Sequence, residues 1–86
     1  MSRYHGRPAS TLELRRRERG FTQEALSRVV FKLTGQEITQ NRISMLERGL
    51  WPHNGEKKAL ATVLDCSEAY LFPYVIDGAP QAEIAR

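Results

Sequence analysis

The chain has 86 residues, a formal net charge of +3 and one cysteine among 41% hydrophobic residues. That length makes one small domain with a limited core. It excludes an internal disulfide, and no apolar run approaches the ~20 residues of a membrane-spanning helix. No signal-peptide apolar region follows the basic start, and a reducing cytoplasm is the expected compartment.

The charge is uneven. Residues 1–50 carry ten Lys/Arg against five Asp/Glu, and residues 51–86 carry three against five. A basic front half suits a polyanionic partner. Residues 1–9, with Gly6 and Pro8, read as a flexible arm bearing Arg3 and Arg7. Such an arm can enter a minor groove, add general phosphate attraction, or be a plain terminus. Ser10 with Glu13 forms a capping-box signature, which predicts a helix from about Thr11 to Arg19 with Leu12 and Leu14 as its apolar seam and Gly20 as its stop. Arg15, Arg17 and Arg19 read as a solvated basic face.

Thr22 is the expected N-cap of a second helix, in which Leu26, Val29, Val30 and Leu33 repeat at i, i+3, i+4 and i+7. Thr34-Gly35 should end it. Ile38 should plug the turn that follows. Thr39 then caps a third helix with Ile43 and Leu46 inward and Gly49 at its close. "LWPHNG" reads as a loop, with Trp51 as a lid on the core. A fourth helix is expected from about Glu56 to Leu64, with Leu60, Ala61 and Leu64 inward and Val63 at the margin. Ser67 should cap a short fifth helix containing Leu71 and Phe72, ended by Pro73. Tyr70, Leu71, Phe72, Tyr74, Val75 and Ile76 crowd apolar surface into the C-terminal end, which a second copy of the chain could cover. The polar tail spans 77–86. Cys66 reads as a small buried hydrophobe.

Two Thr-capped helices in succession, the second opened by Gln40, Asn41 and Arg42, have the make-up of a helix-turn-helix that puts the start of its second helix into a DNA groove. The stretches "LRRRERGFTQEAL", "ITQNRISMLERG" and "ALATVLDCS" with "AYLF" resemble the phage repressor/Cro-like helix-turn-helix regulators, the XRE family, over about residues 12–72. The resemblance implies an all-α, five-helix, lambda-repressor-like DNA-binding domain over residues 10–76. It differs in two places: the stretch around "FKLTGQE" is longer than the family's, so helix 2 or its turn is lengthened, and Asn54 and Lys57 stand where helix 4 usually starts apolar.

The resemblance implies a sequence-specific transcriptional regulator, most simply a repressor, acting as a homodimer on a double-stranded DNA operator. Gln23, at the start of helix 2, would touch a phosphate. Thr39, Gln40, Asn41, Arg42, Ser44, Met45 and Arg48 would form the DNA face of helix 3. Gln and Asn amides match adenine N6 and N7, Arg matches guanine O6 and N7 or grips a phosphate, and Met45 suits a thymine methyl. Arg16 and Glu47 would form a partly buried pair tying helix 1 to helix 3. A protein-interaction module, such as an antitoxin whose C-terminal segment captures a partner, is the alternative on the same fold. His5, His53 and Cys66 lack metal-ligand spacing, no catalytic constellation is present, and no cofactor is implied.

Overall fold

The computed structural model describes residues 9–75. Arg3, Arg7, Ile76 and the 77–86 tail lie outside the described residues. Five α-helices follow in order: α1 Thr11–Glu18, α2 Gln23–Thr34, α3 Gln40–Glu47, α4 Asn54–Leu64 and α5 Glu68–Leu71. Among the described residues there is no strand, so the fold is all-α. None of these helices is long and apolar enough to cross a membrane.

Each helix starts where its local chemistry allows. The hydroxyls of Ser10, Thr22, Thr39 and Ser67 accept hydrogen bonds from the backbone N–H groups of Glu13, Ala25, Arg42 and Tyr70. Each such cap satisfies an otherwise orphaned donor and contributes about 1 kcal/mol. Glu13 does not complete a capping box; its carboxylate pairs with Arg17 one turn on. α4 uses the opposite device. The His53 N–H donates to Glu56 Oε1 at 2.9 Å. That bond organises the turn before Glu56, and α4 therefore begins at Asn54, two residues ahead of the sequence expectation.

α2 ends as expected. Gly35 takes φ +80°, and its N–H donates to the Phe31 carbonyl at 2.9 Å. A β-carbon there would meet nothing within 4 Å, so only the left-handed backbone demands glycine. The stretch expected to be long is divided between the last turn of α2 and the connection 35–39. Ile38 from that connection is buried, and the Ser27 hydroxyl donates to its carbonyl at 2.6 Å.

The core is formed by Leu12, Leu26, Val30, Ile38, Ile43, Leu46, Leu60, Leu64, Leu71 and Phe72, with Ala59, Ala61 and Val63 at its edge. α2 packs on both α3 and α4, and α1 packs on α3 and α5. Cys66 is half-buried against this core, and burial pushes its thiol up from the ordinary cysteine value.

Packing corrects the apolar seams in three places. Leu14 is 44% exposed while Leu12 is buried, because residues two apart lie on nearly opposite sides of a helix. Leu33 is 68% exposed. Measured from Val30, Leu33 is rotated roughly 60° one way and Thr34 roughly 40° the other. The helix turns Thr34 toward α4, where it borders a shallow cleft with Gly55, Lys58, Ala59 and Thr62. At the C-terminal end, Leu71 and Phe72 are consumed by the chain's own core, with Val75 packed against it. Of that apolar group, Tyr70 and Tyr74 are the exposed members among the described residues.

The basic face of α1 is also rearranged. Arg15 is not a solvated cation. Its Nε donates to the Leu64 carbonyl and one terminal nitrogen to the Asp65 carbonyl, both at 2.9 Å. A cation at the C-terminal carbonyls of α4 satisfies groups the helix itself leaves open. Arg17 is paired with Glu13, and Arg19 is exposed.

Candidate nucleic-acid interface

α3 carries its side chains in three rows. Ile43 and Leu46 face the core, and Glu47 is buried beside them. Asn41, Met45 and Arg48, spaced i, i+4 and i+7, are exposed along the outer row. Gln40 and Ser44 form the neighbouring row, with Gln40 exposed and Ser44 half-buried. Thr39 is exposed, and its hydroxyl is spent on capping at 3.1 Å from the Arg42 N–H. The leading turn thus presents two amides to solvent, and the next turn presents a thioether. Arg48, at the end of α3, carries no ion pair among the described residues.

The helix is mounted on its neighbours through one carboxylate. Arg16 Nε donates to Glu47 Oε2 at 2.5 Å, and a terminal Arg16 nitrogen donates to Glu47 Oε1 at 3.2 Å. The other terminal nitrogen donates to the Phe21 carbonyl at 2.9 Å. Gln23 Nε2 donates to the same Glu47 Oε1 at 2.9 Å. One network therefore joins α1, the α1–α2 turn, the start of α2 and the end of α3. The expected Arg16–Glu47 pair is present. Gln23 was not expected to belong to it. Its amide is turned inward to Glu47, which holds the residue at the α2 N-terminus and leaves its second N–H outside this bond.

Arg42 departs from expectation. It was placed on the outward face, but its guanidinium turns to α4. Nε donates to Glu56 Oε2 at 2.7 Å and a terminal nitrogen to Glu56 Oε1 at 2.8 Å. The Glu56 side chain is 5% exposed and that of Arg42 26%. Burial works against the Glu56 carboxylate, but the Arg42 fork and the His53 N–H outweigh it and hold its pKa below the ordinary value. No local pattern pointed to this pair, because its members are 14 residues apart and meet only when α3 and α4 pack.

Ion pairing thins the free positive charge. Arg15, Arg16, Arg17, Arg28 and Arg42 all have carboxylate partners. Arg19, Lys32, Arg48 and Lys58 are exposed cations without such a partner among the described residues.

Trp51, expected as a lid on the core, packs on Tyr74 and is not among the partly buried side chains set against the core. It is half-buried and meets Tyr74 edge-on, with ring centroids 5.7 Å apart, while the Tyr74 hydroxyl donates to the Leu50 carbonyl at 2.8 Å. Pro52 beside it is fully buried. Compared with protein-family models, curated proteins and solved structures, the chain matches none of them.

Proposed function

We propose that this chain is a sequence-specific double-stranded DNA-binding protein of the repressor/Cro-like helix-turn-helix kind, built as a lambda-repressor-like domain. It regulates transcription in the cytoplasm by occupying an operator, most simply as a repressor. The observation that carries this reading is the leading turn of α3, where Gln40 and Asn41 stand exposed after the Thr39 cap, on a helix held to α1 and α2 through Glu47. A helix that reads bases needs donors and acceptors at its N-terminal end and a rigid mount behind it. Met45 on the next turn adds an apolar contact for a thymine methyl, and Gln23 and Arg48 supply backbone contacts at either side.

Selection of bound sequences from a random double-stranded pool tests the reading directly. Enrichment of a defined motif supports it, and a pool that stays random overturns it. Salt dependence gives a second measure. Log affinity should fall with log salt by about 0.9 for each phosphate neutralised, with Arg19, Lys32, Arg48 and Lys58 the exposed cations without a carboxylate partner among the described residues. Titrations between low and moderate salt read this slope, and an affinity indifferent to salt would contradict a phosphate-anchored complex.

The protein acts as a homodimer on half-sites about one helical turn apart, roughly 34 Å. With Leu71 and Phe72 in the core, Tyr70 and Tyr74 are the exposed aromatic side chains that this end offers for a self-contact among the described residues. Sedimentation at DNA-binding concentrations should give twice the chain mass, and a monomer on the operator would refute the two-site arrangement. A second reading, a partner-binding module of the antitoxin type, has its own observation. Phe31 is 57% exposed beside the still more exposed Leu33 at the end of α2. Absence of any selected DNA motif would shift the assignment to that reading.

A further inference from the structure

We infer that Glu56 sets the base preference of α3 by holding Arg42 off the DNA, so that the leading turns of α3 read adenine–thymine pairs. This rests on the DNA-binding reading above and names the class of half-site that reading leaves open. Arg42 is the third residue of α3, in the same turn as Gln40 and Asn41. Were it free, it would be the natural guanine reader, because its planar fork matches O6 and N7. Here both prongs of the fork are occupied by the Glu56 carboxylate, at 2.7 and 2.8 Å. That carboxylate cannot follow the arginine outward. It is buried, and its Oε1 also accepts the His53 N–H that starts α4. Swinging Arg42 onto a base would leave a buried charge without its partner, an arrangement proteins avoid.

What remains on the first two turns is chemically one-sided. Gln40 and Asn41 carry amides, which donate to N7 and accept from N6 of adenine. Met45 offers a methyl thioether to the thymine methyl. Within α3 no unpaired Arg or Lys precedes Arg48, which caps the far end of the helix. Glu56 touches no base in this scheme. It is a positioning residue, and its removal should change which base is preferred as well as how stably the domain folds.

The test is the same selection from a random double-stranded pool, run with the whole chain, with Glu56→Gln, and with the double variant Arg42→Met/Glu56→Met. Glu56→Gln keeps the size and an acceptor for the His53 N–H but removes the charge that holds Arg42. The double variant removes both charges and strands neither. The parent should select half-sites with A·T pairs under the first two turns of α3. Glu56→Gln should gain a guanine at one position per half-site, by about tenfold over the parent. The double variant should keep the parent's half-site. A guanine in the parent's motif that the double variant loses would overturn the inference, since Arg42 would then read despite its tie. So would a Glu56→Gln motif identical to the parent's. A thermal melt accompanies each variant. If Glu56→Gln does not unfold cooperatively, the double variant decides, its unchanged A·T motif supporting the inference and a lost guanine refuting it. Failure of every folded protein to enrich any motif defeats the DNA-binding reading itself, and this inference with it.

Discussion

Glu47→Ala should lower folding stability by about 3–5 kcal/mol, the range for breaking one side of a buried ion pair. The magnitude follows from what the carboxylate holds. Its side chain is 4% exposed, and it accepts from two Arg16 nitrogens and from Gln23. Removing it leaves a buried guanidinium with only the Phe21 carbonyl as a partner, and an amide with nothing to donate to at that point. Small domains have only some 5–15 kcal/mol in total, so such a loss takes a large share of the fold's stability. Arg16→Ala should lose a comparable amount by stranding the carboxylate instead. The pair Arg16→Met/Glu47→Leu should recover much of either loss, because neither charge is then left buried alone. The exposed Arg28–Glu24 pair on α2 serves as the control, and Glu24→Ala should melt close to the parent. Thermal and urea melts of these variants check the prediction. A Glu47→Ala protein that melts with the parent would show that no such buried tie operates.

The functional counterpart concerns the leading turn of α3. Gln40→Ala and Asn41→Ala should each cost about 1–3 kcal/mol of discrimination between a selected operator and scrambled DNA, while leaving affinity for scrambled DNA nearly unchanged. Both side chains are exposed and neither is used to hold the fold, so their loss should act on reading and not on stability. Arg48→Ala should behave differently. A lone exposed cation at the end of α3 suits a phosphate, and its removal should weaken selected and scrambled DNA together. Affinities for the two DNAs, measured at one salt concentration across the three variants, separate the classes. If the specific-to-scrambled ratio survives both amide substitutions, α3 is not the reading helix, and the alternative of a partner-binding surface at Phe31 and Leu33 gains weight.

Much of this protein was legible from its sequence because the signals involved are local. A hydroxyl three residues ahead of a free N–H, as at Ser10, Thr22, Thr39 and Ser67, starts a helix whatever the rest of the chain does. Gly35 ends one because its backbone must turn left-handed there. Period-3.6 apolar spacing found Leu26, Val30, Ile43, Leu46, Leu60 and Leu64 in the core. The amide row at Gln40 and Asn41 is also a local pattern. The Arg16–Glu47 pair was anticipated through family resemblance, since nothing local links residues 31 apart.

Tertiary structure alone decided the rest. Leu14 and Leu33 looked like core residues and are exposed, because a helix buries only the angle its neighbours cover. Leu71 and Phe72 looked like surface for a partner and went into the chain's own core, where α5 packs against α1 and α4. Arg15 and Arg42 looked like free cations. One caps the carbonyls of α4 and the other is locked to Glu56 at its start. A charged side chain several bonds long finds its partner only after the helices have packed, and sequence spacing carries no record of which carboxylate or carbonyl will lie within its reach.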